Sequence, residues 1–298
     1  VGPATSTINS VGVRGAEIPA NEATLRILCV GGTSTESPYL DDAECWPTLL
    51  ARDLTKQLGR DVWVGSVGFG SYGLDEHREF LANSDLIDQV DCIVVMPGMN
   101  DFLSSVLGLG EPEGGPLWSQ LHSLDVAREV WNGRLGNGCV CDPQGETWTM
   151  FRLGQPIPEI SVDDAVAVKS FHKKLEQLVL AAQARDKPLV LVTQAVLWKR
   201  FLSEPGERRL LYARQYPLPR DWELLAPGSL ATLFTQFNEQ IHEVVNQNPH
   251  VGLIDVAAIL DGNERAFYDD YHFNEYGSQE CAAIISNWFA ASRRRHSP

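Results

Sequence analysis

The chain has 298 residues, of which 44% are hydrophobic, and a formal net charge of −15 at pH 7. This length allows one large α/β domain with a sizeable core. The negative charge argues against nucleic acid or an anionic membrane as the main partner. No apolar run approaches the roughly 18 residues that a membrane span needs, so we expect a soluble protein.

The cysteines and the N-terminal segment carry no recognisable metal or targeting pattern. Cys139 and Cys141 form a C-x-C pair without a second pair or a nearby histidine, so we expect no metal site. The first 22 or so residues are polar and lack a basic stretch followed by an apolar one, so we expect no signal peptide within them. The sequence therefore leaves open whether the protein is cytoplasmic or exported.

Short apolar segments alternate with helical patterns along the chain. The predicted strands are Arg26–Val30, Val62–Val64, Cys92–Met96, Leu189–Thr193 and Gly252–Val256. A glycine-rich turn, 65–73, follows the second strand, and apolar residues recur at helical spacing in the intervening segments. This alternation predicts a three-layer α/β/α sandwich with a mostly parallel five-stranded sheet of the flavodoxin-like kind.

We predict one domain over residues 25–298, preceded by an N-terminal extension at 1–24. Residues 104–160 interrupt the alternation of strands and helices and are rich in Gly, Pro and Trp. Long segments of this kind inside a domain are usually functional. We therefore expect this insertion to shape a substrate cleft.

Candidate catalytic residues follow three of the predicted strands. Thr33 and Ser34 come directly after the first strand, where glycines allow a sharp turn that exposes a hydroxyl nucleophile. Asn100 follows the third strand, and its amide could donate to a developing oxyanion. Asp269 lies three residues before His272, a spacing that lets a carboxylate orient a histidine base. Because strand ends meet at one edge of a parallel sheet, we expect these residues to form one site.

Three further histidines are interpreted as surface groups. His77, His172 and His242 lie on predicted helices among polar residues. His272 differs from them in having a carboxylate at the spacing that a catalytic base requires.

The order of these residues resembles the SGNH, or GDSL-type, hydrolase superfamily, whose sequence blocks carry Ser, Gly, Asn and His. The matching segments are 30–36, 65–73, 98–101 and 269–272. The first block reads Gly-Gly-Thr-Ser-Thr-Glu and, with Leu40-Asp41-Asp42 and Trp46-Pro47 after it, is similar to a bacterial subgroup with Gly-Gly-Ser-Thr-Thr-Glu. The resemblance implies hydrolysis of acyl or acetyl esters without a metal or organic cofactor. The acidic chain and its insertion favour a small or carbohydrate-linked ester as substrate.

The resemblance also assigns roles to individual residues. His272 would be the general base, and Asp269 its orienting carboxylate. The oxyanion hole would consist of Asn100, the backbone N–H of the nucleophile and that of Gly70 or Ser71, depending on the alignment.

The nucleophile position departs from the family pattern. Thr33 occupies the place of the family's serine, and its β-branched side chain restricts rotation about χ1. Three interpretations are open: Thr33 acts as the nucleophile, Ser34 acts after a one-residue shift, or the site is impaired. The last is the rival hypothesis of a binding protein that lost its serine. A nucleotide-binding protein is disfavoured because segment 65–73 lacks the lysine of a P-loop.

Overall fold

A computed structural model describes residues 4–70, 72–105, 139–141, 147–149, 165–207, 209–210 and 227–295. The strands of this part are β1 (Leu25–Gly31), β2 (Val62–Gly68), β3 (Cys92–Met96), β4 (Cys139–Cys141), β5 (Thr147–Thr149), β6 (Leu189–Val192) and β7 (Gly252–Ile254). The α-helices are α1 (Thr33–Glu36), α2 (Trp46–Leu58), α3 (Leu74–Asn83), α4 (Met99–Ser105), α5 (Ala165–Ala184), α6 (Glu204–Glu207), α7 (Pro227–Gln247), α8 (Ala257–Leu260) and α9 (Glu275–Arg295). Short 3₁₀ turns lie at Asp42–Glu44 and Asp85–Gln89.

An all-parallel sheet of five strands lies at the centre of the described part. Its order is β2-β1-β3-β6-β7, and each neighbouring pair is parallel. The chain moves outward from β1 to β2 and then returns past β1 to β3. The carboxyl ends of β1 and β3 therefore border the switch point, where open parallel sheets bind ligands.

Helices cover the sheet in two layers. Helix α2 packs with α9, while α5 packs with both α3 and α7. All residues of β3 and β6 are buried, as expected for strands covered on both faces. The predicted α/β fold with a five-stranded parallel sheet is confirmed.

The second strand is longer than predicted. The sequence pattern places residues 65–68 in the glycine-rich turn, but they belong to β2 and pair with residues 28–31 of β1. A Cβ atom on Gly68 would lie 2.2 Å from the backbone nitrogen of Glu36. Glycine therefore serves here to let the strand approach α1 closely, and the turn begins only at Phe69.

The described part of the N-terminal extension packs against the sheet and the segment after α1. Val13 is buried in the core, and Arg14 forms an antiparallel bridge with Ser66. The guanidinium of Arg14 donates to the Leu40 carbonyl at 2.7 Å and to a carboxylate oxygen of Asp42 at 2.8 Å. These contacts hold the N-terminal extension against the loop that follows α1, the helix that carries Thr33 and Ser34.

Two strands of the predicted insertion are described. β4 and β5 form an antiparallel hairpin. The remainder of 106–164 lies outside the described residues. In the part of the chain that the structure covers, no helix is long and apolar enough to cross a membrane.

Candidate active site

Thr33, His272 and Asp269 form a continuous chain of hydrogen bonds. Oγ1 of Thr33 lies 2.8 Å from Nε2 of His272, and Nδ1 of His272 lies 2.6 Å from Oδ2 of Asp269. An ionised carboxylate only accepts hydrogen bonds, so Nδ1 carries the proton and Nε2 is free to accept from the threonine hydroxyl. The three side chains are between 4% and 6% exposed.

Local sequence explains how each member of this chain is held. Thr33 is the first residue of α1, and Gly32 separates it from the last residue of β1. Oδ1 of Asp269 accepts from the backbone N–H groups of Tyr271 and His272 at 3.0 and 2.8 Å. The carboxylate therefore shapes the turn that carries the histidine while its second oxygen orients the ring.

The neighbouring Asp270 has a different role. It is fully buried, and its Oδ1 accepts from the indole N–H of Trp198 at 2.7 Å. Its backbone carbonyl accepts from the N–H of Leu197. Asp270 thus connects the loop that carries His272 to the segment after β6.

Ser34 points away from the histidine. Its hydroxyl accepts from Nε2 of Gln194 at 2.7 Å and lies 3.4 Å from the carbonyl oxygen of Tyr271. Its own carbonyl accepts from the indole N–H of Trp46. The geometry brings Thr33, and not Ser34, to His272.

Asn100 lies in the first turn of α4, across from Gly32. Its Nδ2 donates to the Tyr72 carbonyl at 2.7 Å. A Cβ atom on Gly32 would lie 2.6 Å from that nitrogen, so the glycine leaves room for the amide. The N–H of Thr33 belongs to the first turn of α1, where N–H groups have no acceptor within the helix.

The third expected oxyanion donor is engaged elsewhere. The N–H of Gly70 donates to Oε2 of Glu36 at 2.9 Å. Burial raises the pKa of the Glu36 carboxyl, although the Gly70 N–H and nearby His272 and Arg14 oppose this shift. Ser71, the alternative donor, lies outside the described residues.

Sequence reasoning missed two carboxylates beside the site. Glu36 is the last residue of the first sequence block, and the sequence assigns it no role. Its contact with Gly70 depends on the close approach of β2 to α1. Both oxygens of Asp101 lie 3.2 Å from the N–H of Leu74, at the start of α3. Burial raises the pKa of Asp101 to about 6, and nearby Lys174 opposes the shift.

The prediction that His77 is a surface group is wrong. Its side chain is only 2% exposed, and burial lowers its pKa to about 4. The ring is therefore neutral at pH 7, and it lines a small pocket beside Thr33. His172 and His242 are partly exposed, and His242 lies 3.1 Å from a carboxylate oxygen of Asp255.

No group of three or more His, Cys, Asp or Glu residues in the described ranges is arranged to hold a metal ion. The hydrogen-bonded chain of Thr33, His272 and Asp269 is the arrangement that activates a hydroxyl for attack on an electrophilic carbon.

Comparison with solved structures finds several similar proteins. The acetyl xylan esterase AlAXEase is similar with a TM-score of 0.52 at 12% identity, over 88% of this chain and 98% of that chain. A lipase/acylhydrolase from Enterococcus faecalis has a TM-score of 0.48 at 15% identity, over 90% and 96%. A G-D-S-L family lipolytic protein from Desulfitobacterium hafniense has 0.48 at 9%, over 88% and 98%. No protein-family model and no curated protein matches the sequence.

The likeness to the acetyl xylan esterase shows a shared fold. This agrees with the α/β fold that the resemblance to SGNH hydrolases implies. The chain thus shares the fold of this acetyl xylan esterase, and its candidate site lies at the switch point of the sheet.

Proposed function

We propose that this protein hydrolyses carboxylic esters, with the hydroxyl of Thr33 as nucleophile. The observation that carries the proposal is the hydrogen-bonded chain from Thr33 through His272 to Asp269. A hydroxyl on a neutral imidazole whose far nitrogen faces a buried carboxylate is activated for acyl transfer.

The first half of the reaction forms an acyl-enzyme. Oγ1 of Thr33 attacks the ester carbonyl carbon while its proton passes to Nε2 of His272. The tetrahedral intermediate then collapses, the bond from carbon to the alcohol oxygen breaks, and His272 returns the proton to that oxygen. Asp269 stabilises the imidazolium between these two transfers.

The second half repeats these steps with water. His272 removes a proton from a water molecule, which attacks the acyl carbon, and the proton is then returned to Oγ1 of Thr33. A carboxylic acid is released and the hydroxyl is restored. The proposed substrate is a small or carbohydrate-linked ester, and the reaction uses no metal or organic cofactor.

The oxyanion is held by the amide of Asn100 and the backbone N–H of Thr33. A substrate oxygen would take the place of the Tyr72 carbonyl as acceptor for Nδ2 of Asn100. The N–H of Gly70 would become a third donor only after leaving Glu36. Such donors contribute most when the negative charge develops.

Ser34 is assigned a supporting role. Its contact with Gln194 joins α1 to the segment after β6, and its contact with the Tyr271 carbonyl joins α1 to the loop that carries His272. The binding-protein alternative arises from the threonine at the nucleophile position, because its β-branch restricts how the hydroxyl approaches a substrate.

The test is hydrolysis of 4-nitrophenyl acetate by the unmodified protein and by Thr33→Ala, Ser34→Ala and His272→Ala. We expect Thr33→Ala and His272→Ala to lose about 10³-fold or more of the turnover. Ser34→Ala should retain most of it. Loss with Ser34→Ala alone would make Ser34 the nucleophile.

A fourth variant, Thr33→Ser, tests the binding-protein alternative. If the unmodified protein cleaves no ester above the His272→Ala background but Thr33→Ser does, the natural protein is an impaired or binding-only member of this fold. If both are active, the threonine is a working nucleophile.

A further inference from the structure

A buried guanidinium lies at the carboxyl end of α1, the helix that begins with Thr33. The side chain of Arg14 is only 8% exposed, and a guanidinium has five N–H groups to satisfy. Their acceptors are a carboxylate oxygen of Asp42 for Nε, the carbonyls of Glu36 and Ser37 for Nη1, and those of Leu40 and Thr5 for Nη2. The donors of Arg14 are therefore all engaged, mostly with backbone carbonyls.

Two of these carbonyls flank Ser37, whose backbone is in the left-handed conformation. Ser37 follows the last residue of α1 with φ of 50° and ψ of 56°, a region that favours glycine and is costly for other residues. Nη1 of Arg14 donates to the Ser37 carbonyl at 2.9 Å and also to the carbonyl of Glu36. The peptide groups on both sides of the Ser37 Cα atom are thereby held, and with them both of its backbone dihedral angles.

Ser37 is bonded in turn to the start of α1. Its N–H donates to the carbonyl of Thr33 at 2.8 Å, and its hydroxyl lies 3.4 Å from the carbonyl oxygen of Ser34. α1 has only four residues, too few for a helix to be stable through its own hydrogen bonds. Its orientation therefore depends on contacts with other segments, and Arg14 provides such contacts at the carboxyl end.

The orientation of α1 decides which hydroxyl meets the base. Successive residues of an α-helix are separated by about 100° around its axis, so a rotation of α1 would move Thr33 away from His272. Oγ1 of Thr33 lies 2.8 Å from Nε2 of His272, and a shift of about 1 Å would break a hydrogen bond of this length.

We propose that Arg14 is a positioning residue for the nucleophile. Its guanidinium holds Ser37 in the left-handed conformation and so orients α1 with the Thr33 hydroxyl on His272. The proposal rests on the ester hydrolysis proposed above, because it takes Thr33 as the nucleophile.

The backbone of Arg14 is anchored independently of its side chain. Its N–H donates to the Ser66 carbonyl and its carbonyl accepts from the Ser66 N–H, both at 3.0 Å. The preceding Val13 is 1% exposed in the core, and Asp42 accepts from the N–H of Thr7 at 2.8 Å. Because these contacts do not involve the guanidinium, we expect Arg14→Ala to keep the N-terminal segment in place.

Arg185 provides a matched control. Its guanidinium donates to the carbonyls of Ala82 and Ser84 at 2.9 and 3.3 Å, at the end of α3, and pairs with Asp88 at 2.9 Å. Its side chain is 19% exposed. The two arginines thus bind the ends of two helices in a similar way, but α3 carries neither the nucleophile nor the base.

The first test is kcat/KM for 4-nitrophenyl acetate, which includes the attack by Thr33. Misplacement of a reacting group by about 1 Å costs about 10²-fold, so we expect Arg14→Ala to lower kcat/KM by about 10- to 100-fold. Arg185→Ala should leave it unaltered. An unaltered kcat/KM in Arg14→Ala, or equal losses in both variants, would overturn the proposal while leaving the esterase function intact.

Added guanidinium separates positioning from a general loss of stability. Guanidinium chloride at about 50 mM is far below the molar concentrations that unfold proteins, and the ion can take the place of the missing side-chain group. Compared with the same concentration of sodium chloride, we expect it to recover part of the loss in Arg14→Ala and not to raise kcat/KM of Arg185→Ala. The same response in both variants, or no recovery in Arg14→Ala, would overturn the proposal.

A spectroscopic measurement tests the positioning without catalysis. The ¹³C-methyl NMR signal of Thr33, assigned from its loss in Thr33→Ser, depends on where this side chain lies against the ring of His272. We expect the signal to shift in Arg14→Ala and to stay in place in Arg185→Ala. If the unmodified protein cleaves no ester, the proposed function fails. An unchanged Thr33 signal in folded Arg14→Ala would overturn the positioning role in either case.

Arg14→Lys takes the place of Arg14→Ala if the alanine variant does not fold. Lysine keeps the charge but lacks the planar fork, and its ammonium has too few N–H groups for the acceptors that Arg14 serves. We expect a lower kcat/KM and a shifted Thr33 signal here as well. Values equal to those of the unmodified protein would overturn the proposal, since the charge alone would then suffice.

Discussion

The two halves of the candidate site differ in how far they are assembled. The nucleophile half consists of Thr33, His272 and Asp269, which are buried and already contact one another. In the oxyanion half, Asn100 donates to the Tyr72 carbonyl and Gly70 donates to Glu36. For the proposed reaction, the first half already has the contacts that a proton transfer needs, whereas the second would have to exchange protein acceptors for a substrate oxygen.

This difference follows from local structure. Asp269 organises its own turn through two backbone N–H groups, so the histidine needs little help from other segments. The oxyanion half instead depends on the turn after β2, where Phe69 and Tyr72 are 44% and 43% exposed. An exposed turn with few buried contacts rearranges at low cost.

Among the residues that support the nucleophile and the base, Asp269 should have the largest effect on activity when it is replaced. Asp269→Asn keeps the shape of the side chain but no longer holds the proton on Nδ1, and we expect turnover to fall by about 10⁴-fold. Asp270→Asn is the control, since Asp270 bonds Trp198 instead of the histidine. Steady-state hydrolysis of 4-nitrophenyl acetate measures the turnover of both variants. Equal losses of turnover in two folded variants would overturn the assignment of Asp269.

Removing the amide of Asn100 should have the next largest effect. We expect Asn100→Ala to lower kcat by about 10²- to 10³-fold with little change in KM, because the donor acts mainly on the transition state. Asn248→Ala, which removes an amide bonded to the Val244 carbonyl, serves as a control. A change confined to KM would remove Asn100 from the oxyanion hole.

The buried carboxyl of Asp101, next to Asn100 in the chain, should make the free energy of unfolding depend on pH. Its pKa is about 6 in the folded protein, above the value of about 3.9 in an unfolded chain. The folded state therefore binds this proton more tightly, and the free energy of unfolding falls as pH rises from about 4 to about 6. Asp101→Asn should remove this fall, which is about 3 kcal/mol at most.

Urea unfolding at pH 4.5 and 7 measures the effect of Asp101→Asn. Asp53→Asn is the control, because it changes a carboxylate that pairs with Arg52 near the surface. If both variants show the same pH dependence as the unmodified protein, the buried carboxyl does not titrate as expected.

Replacing Glu36 should have the smallest effect on activity. The replacement tests whether the N–H of Gly70 has to leave the Glu36 carboxylate before catalysis. A hydrogen bond to a charged acceptor exceeds one to a neutral acceptor by about 1 kcal/mol. If release of Gly70 precedes catalysis, Glu36→Gln should raise kcat by about 5-fold. Glu44→Gln, a change of the same type eight residues along, should leave kcat unaltered. A decrease in kcat with Glu36→Gln would mean that the bond to Gly70 supports the active conformation.

The fold and much of the nucleophile half could be predicted from sequence. Short apolar runs separated by helical patterns determine a parallel sheet, because only buried strands tolerate apolar residues on both faces. The pairing of Asp269 with His272 depends on residues three apart within one turn, so it is a local property of the chain. The sequence does not decide between Thr33 and Ser34, because both lie in one short helix whose rotation against the His272 loop is a tertiary property.

The interactions that sequence reasoning missed join segments that are distant along the chain. Glu36 reaches Gly70 only because glycine at 68 lets β2 approach α1, and Asp101 meets Leu74 only because β3 lies beside β1 in the sheet. The burial of His77 depends in the same way on where α3 packs. The sequence alone determined the parallel sheet and the order along the chain of the segments that carry Thr33, Asn100 and His272. It also determined the pairing of His272 with Asp269, because all of these follow from short-range patterns. Tertiary packing alone decided which hydroxyl faces the base and which donors are engaged, because both depend on segments that are distant along the chain.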